Sequence, residues 1–191
     1  TKLEIKQDRP IQVASAIFDL AKLRMLQFYY DCLDKYIDRK DFQLIEMDTD
    51  SLYMGVGDMK LNEEQVPRAV EYNKNMIIEL EKKLLKEQDK KKIEELKEEI
   101  ERRKIIKYEA NESLTSEQID LLDTAEIFET LVKPEKLEEF IKEQYDWFPR
   151  KCKEFKKYDK RTPGLFKVEF IGNAMIALAS KSYYVQGEKK N

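Results

Sequence analysis

The sequence predicts an α+β fold: a long helix packed on an antiparallel sheet, a projecting charged helical segment, and a small β subdomain at the C-terminal end. Three observations carry this expectation. Apolar residues recur at helical spacing through the first part of the chain, two strand-like runs then flank an acidic tetrapeptide, and strand-like runs return only after Gly164. Five Gly and five Pro in 191 residues leave the chain poor in breakers, which favours long helices. This length suffices for one substantial core, or for one core with an elaborated insertion.

Composition narrows the function classes. Lys and Arg number 36 against 39 Asp and Glu, so the net charge of -3 gives no general argument for nucleic acid, and any basic surface must be local. Histidine is absent, and Cys32 and Cys152 lie far apart without metal-ligand spacing. That disfavours a zinc site, a Ser-His or Cys-His nucleophile and a secreted disulfide framework, and it points to free thiols in a reducing compartment. No apolar stretch has the length of a membrane span, and Thr1-Lys2-Leu3-Glu4-Ile5-Lys6 does not read as a signal peptide. A soluble intracellular protein without a membrane partner is expected.

Thr1 to Gln7 alternates polar and apolar residues as a short strand does, and Asp8 before Arg9-Pro10 is a helix cap with proline in the first turn. Ile11, Ala14, Ile17, Phe18, Ala21, Met25, Phe28, Tyr29, Cys32, Leu33, Tyr36 and Ile37 then mark one amphipathic helix from about Pro10 to Asp38. Phe42 to Met47 and Ser51 to Gly57 form the arms of a hairpin, with Phe42, Leu44 and Glu46 expected on one face, Ile45 and Met47 on the other, and cover on both sides. Its tip is Asp48-Thr49-Asp50-Ser51. Two carboxylates separated by one small residue at such a tip can hold a divalent cation, and a buried hairpin with an acidic tip calls for compensating cations or hydrogen bonds. An acidic turn built from ordinary turn formers is the simpler alternative.

From Glu63 to about Tyr108 the character changes. Glu79 to Lys104 holds nine acidic and ten basic side chains, with Glu79/Lys83, Glu87/Lys91, Glu98/Arg102 and Glu99/Arg103 spaced for i,i+4 support. The apolar stripe is narrow and breaks at Lys86-Glu87-Gln88-Asp89-Lys90-Lys91-Lys92, which predicts either a single solvated helix or a helical hairpin. Thr115 followed by Gln118 predicts a capped short helix around Ser116 to Asp123, and Pro134 opens a helix that Pro149 should end. Arg150 to Arg161 carries seven Lys or Arg, the densest basic patch, expected as a loop. Leu165 to Ile171, Ala174 to Ala179 and Ser182 to Val185 read as strands, with Gly172-Asn173 as a turn.

The Asp-Thr-Asp-Ser element in its strand-turn-strand setting resembles motif C of the family B DNA polymerases, closest to the protein-primed polymerases of viruses, plasmids and mobile elements. Tyr158-Asp159-Lys160-Arg161-Thr162-Pro163-Gly164 and Lys181-Ser182-Tyr183 are similar to two further elements of that family, in the same order. The resemblance covers Arg9 to Gly57 and Pro134 to Val185. It implies a palm-like sheet, with the palm portion and motif C in residues 1–62, a charged insertion in 63–112, and the rest of the palm and start of the thumb in 113–191. It also implies Mg²⁺ or Mn²⁺ held by Asp48 and Asp50, a turn shaped by Thr49 and Ser51, and primer or DNA contact by Lys181, Tyr183, Lys160 and Arg161. The implied partners are a DNA template-primer, dNTP and a terminal priming protein. Runs like the family's motifs A and B are absent, so a remainder of the polymerase carrying them is a further partner, and little activity is expected from this chain alone. A non-catalytic nucleic-acid-binding remnant, or an interaction protein acting through the charged helices, are the alternatives.

Overall fold

The computed structural model describes residues 10–150, 153–179 and 181–187. The expected N-terminal strand, its Asp8 cap and Cys152 lie outside the described residues. The class is α+β. Helix α1 (Ile11–Gln27) runs without a break into a π-helical segment, Phe28–Leu33, and a last α turn, α2 (Asp34–Tyr36), so the long helix ends where its apolar period ends. Strands β1 (Phe42–Asp48) and β2 (Ser51–Val56) follow, then α3 (Gln65–Leu84), α4 (Lys90–Ile105), α5 (Ser116–Leu121), α6 (Thr124–Glu129), α7 (Leu137–Trp147), α8 (Lys153–Asp159), β3 (Ala174–Ala179) and β4 (Ser182–Gln186). The described strands make two separate antiparallel pairs, β1-β2 and β3-β4, the second in the C-terminal part where a small β subdomain is expected.

One core lies under the first hairpin. Phe28, Leu33, Tyr36, Phe140 and Phe148 are buried there, with Leu52, Met54 and Val56 of β2 packed against them. Aromatic contacts knit the core: Phe28 stacks on Phe166 with ring centroids 3.9 Å apart and meets Phe148 edge-on at 5.9 Å. Cys32 sits in this core, 1% exposed, and burial pushes its thiol up to about 12, so it is an inert apolar filler.

A second cluster, containing Leu61, Ala69, Tyr108, Ile119, Leu122 and Ile127, fastens the base of the α3-α4 pair to α5 and α6. The charged segment therefore folds back as a helical hairpin at its polar interruption, and its base belongs to the body of the protein. Of the expected charge pairs, Glu99 holds Arg103 at 2.7 Å, but Arg102 turns from Glu98 to Asp120 at 3.1 Å on α5. The Thr115/Gln118 capping box forms as its spacing predicts, and Asp123 with Glu126 makes a second one that starts α6.

Several expectations fail for identifiable reasons. Residues 165–171 form no strand, Phe170 making a single bridge, because the Phe166 N–H donates to the Trp147 carbonyl at 2.8 Å and the Val168 N–H to Thr124 Oγ1 at 3.0 Å. Gly172-Asn173 is not a hairpin turn: the Asn173 N–H donates to the Gln186 carbonyl at 2.8 Å. A Cβ on Gly172 would lie 2.6 Å from that same carbonyl, so glycine is required there by close approach. The basic stretch contains α8 rather than only a loop. Its last residue, Asp159, takes the Arg150 N–H at 2.7 Å and the guanidinium at 2.8 and 3.0 Å, which holds the carboxyl down at about 2.

Candidate functional site

The β1-β2 tip is built by a tight turn. Asp48 pairs with Ser51 across the ladder, leaving Thr49 and Asp50 as the two turn residues. Thr49 carries a φ of 50°, a left-handed conformation that β-branched residues rarely adopt and that the surrounding hairpin must impose. Its Oγ1 donates to Asp48 Oδ1 at 3.1 Å, which orients the carboxylate. Asp50 stands exposed at the apex.

A β-bulge decides where Asp48 points. Leu44 pairs with Met54 and Glu46 with Tyr53, so Ile45 is the extra residue on β1. Before the bulge, Phe42 and Leu44 share the core face with their partners Val56 and Met54; after it Met47 shares that face with its partner Leu52. One inserted residue moves every later side chain to the other face. Glu46, expected beside Phe42 and Leu44, is thereby placed with Asp48, Ser51 and Tyr53 on the outer face. Ile45 is left 41% exposed, so the expected cover on both sides is incomplete.

The β3-β4 hairpin lies against that outer face. The Lys181 backbone N–H donates to Glu46 Oε1 at 3.1 Å, and Lys181 Nζ is 3.9 Å from Asp48 Oδ1. The Tyr183 and Tyr53 hydroxyls are hydrogen-bonded at 2.6 Å, with ring centroids 4.7 Å apart. Lys181 is not in a strand, as expected, but just before β4, with φ at 63°. The cross-strand pair Glu46-Tyr53 thus holds both members of the Lys-x-Tyr element, one through its backbone and one through its ring. The bond to Tyr183, with burial adding to it, pushes the Tyr53 phenol up to about 12. Glu46 Oε2 is buried without a hydrogen-bond partner, an unused acceptor beside the Asp48 carboxylate.

Asp48, Lys181 and Tyr183 are therefore brought to one face, with Asp50 two residues from Asp48 at the apex, although the two hairpins are far apart in sequence. Lys160 and Arg161 are exposed after α8, and neither makes a side-chain hydrogen bond or ion pair with a described residue. That segment is tied to α1: Arg24 Nε donates to the Gly164 carbonyl at 2.9 Å, and its guanidinium lies 4.2 Å from the Trp147 ring centroid. Sequence reasoning missed Glu46 and Tyr53. They stand two residues outside Asp48 and Ser51, and period-two spacing from the acidic tip would have found both.

Chemically, the arrangement offers hard oxygen donors at an exposed edge with an exposed ammonium and a phenol beside them, a setting suited to a phosphate-bearing ligand with a divalent cation. Two carboxylates from one turn fit part of a Mg²⁺ or Mn²⁺ shell. Among the described residues, no group of three or more His, Cys, Asp or Glu is arranged to hold a metal ion. No helix among the described residues is long and apolar enough to cross a membrane. A scan of protein-family models finds no match to the chain, and neither curated proteins nor solved structures yield one.

Proposed function

We propose that this chain is a portion of a DNA-directed DNA polymerase of the protein-primed family B type, supplying the turn carboxylates and the Lys-x-Tyr element for template-directed nucleotidyl transfer. The observation that supports this reading is the meeting of two sequence elements 130 residues apart: Tyr183 bonds Tyr53 while Lys181 reaches Asp48. An acidic turn serving only as a turn has no reason to gather a lysine and a tyrosine in the order the resemblance implies.

Asp48 and Asp50 are the metal carboxylates, and Thr49 and Ser51 fix their geometry. When bound, Mg²⁺ or Mn²⁺ supplies charge stabilisation for in-line phosphoryl displacement. Lys181 holds a phosphate as a point charge, and Tyr183 donates its hydroxyl to the primer backbone. Glu46 and Tyr53 position those two residues. DNA template-primer and dNTP are the substrates, a terminal priming protein is a partner, and the remainder of the polymerase supplies the other carboxylate and the nucleotide-gripping helix. Alone, the chain has little or no activity, because two-metal transfer needs a complete and well-positioned ligand set.

The test is primer extension by the enzyme reconstituted from this chain and that remainder. Asp48→Ala should lower metal-dependent extension by roughly 10³-fold or more while leaving DNA affinity within about twofold. Unchanged extension would refute the reading.

A further inference from the structure

The tip of the α3-α4 arm concentrates positive charge. Lys82, Lys83, Lys86, Lys90, Lys91 and Lys92 fall within eleven residues that hold only two acids, Glu87 and Asp89, in a chain whose net charge is -3. All six lysines are exposed, and none forms an ion pair with a described residue. The two acids bond backbone N–H groups of the turn itself. Glu87 Oε1 takes the Gln88 and Asp89 N–H groups at 3.0 and 3.2 Å, and Asp89 Oδ1 caps α4 through the Lys91 N–H at 3.0 Å.

Two features set this apart from an ordinary solvated face. The first turn of α4 has no acidic residue and opens with three lysines, where the helix dipole already presents positive charge, so the local arrangement is unfavourable. Departures of this kind from local preference concentrate at functional positions. The tip also stands away from the body. Leu85 lies 16 residues beyond the anchored Ala69, roughly 24 Å along a helix and well past a Debye length of about 8–10 Å, so acids at the base of the arm do not offset the tip, and those within reach are the flanking Glu79, Glu81, Glu94 and Glu95. Between the helix ends is an open cleft of about 630 Å³ lined by Lys82, Lys83, Lys86 and Lys92 together with Glu79, Glu87 and Glu95, so the excess of positive charge there is one.

We propose that this lysine tip is a second nucleic-acid contact, gripping the phosphodiester backbone without reading sequence. The residue types favour phosphate over a protein partner. Protein interfaces are depleted in lysine and anchored by Trp, Tyr and Arg, none of which occurs between Lys82 and Lys92, whereas lysine as a compact point charge suits backbone phosphate. The proposal goes beyond the polymerase reading and would hold for a non-catalytic chain.

The experiment measures binding of the full chain to a short fluorescein-labelled DNA duplex by anisotropy between about 50 and 200 mM NaCl. Lys86→Gln, Lys90→Gln and Lys91→Gln combined should weaken binding about tenfold at the low-salt end and shrink the log-log salt slope by about 2–3, at roughly 0.9 per lost phosphate contact. Circular dichroism of the triple variant should match the parent. An unaltered affinity and slope, or no duplex binding by the parent chain, overturns the proposal. So does lysine-dependent binding to phosphatidylserine vesicles, or to poly-glutamate, that equals or exceeds binding to DNA. Each outcome is read separately from extension by Asp48→Ala, so either proposal can fail while the other stands.

Discussion

The β1-β2 hairpin and the α3-α4 hairpin each carry like charges at a turn, and they manage that charge in opposite ways. The acidic tip is compensated from a distance: Lys181 approaches Asp48, Glu46 accepts the Lys181 N–H, and the Tyr53-Tyr183 pair closes the contact. The basic tip meets acids of its own arm, Glu79, Glu87 and Glu95 in the cleft beside its lysines, and the arm is fastened to the body at its base, through Ala69 and Tyr108. The difference teaches where geometry is specified. The acidic tip is held by a bulge, a left-handed Thr49 and a second hairpin, as a site needing fixed positions requires. The basic tip is placed only by helix length, which suffices for a sequence-independent electrostatic contact.

The largest effect should come from breaking the bulge. Inserting one alanine between Tyr53 and Met54 gives Ile45 a partner and restores continuous alternation, which turns Glu46 and Asp48 toward the core beside Phe42 and Leu44. With an unpaired buried charge costing about 3–5 kcal/mol, the two together should exceed about 5 kcal/mol, read as loss of the cooperative urea transition. A stable, well-folded insertion variant would show that the bulge does not set the face.

A smaller change loosens the contact between hairpins. Tyr53→Phe removes one hydroxyl bond and should cost about 1 kcal/mol in urea melts. The Tyr53 phenol is raised from 10.0 to about 12 in the fold. The stability linked to it is therefore complete below pH 10 and is lost as pH rises from 10 to 12. Tyr53→Phe should flatten that alkaline loss; a parent-like loss in the variant would assign it elsewhere. The smallest effect belongs to the other hairpin: the triple lysine variant should stay within about 0.5 kcal/mol of the parent, since its side chains are exposed and unpaired.

Much of the helical structure was legible because its signals are local. The apolar period of α1, the Thr115 capping box, the 3-10 turn at Pro134 that leads into α7 and the stop before Pro149 all depend on residues a turn or two apart. The acidic tip and the Lys-x-Tyr element were legible as motifs, and their meeting was not, because it depends on tertiary docking. Nothing in Leu44-Ile45-Glu46-Met47 marks a bulge: no glycine interrupts it, and apolar and polar residues share the run. Phe166, Val168 and Phe170 alternate as a strand does, but with Trp147 and Thr124 taking two of the segment's N–H groups, the same period describes an extended segment laid on helix ends. Lys160 and Arg161 look like part of one basic patch in sequence, while Asp159 removes Arg150 from it.

The central claim is that the Lys181-Tyr183 hairpin rests on the Glu46-Tyr53 face beside Asp48. Nuclear Overhauser spectroscopy of the full chain, with Tyr53 and Tyr183 assigned, tests it most directly. Rings whose centroids are 4.7 Å apart should give aromatic cross-peaks that survive in Thr49→Gly and vanish in Tyr183→Ala. Assigned rings with no cross-peak between them would contradict the account.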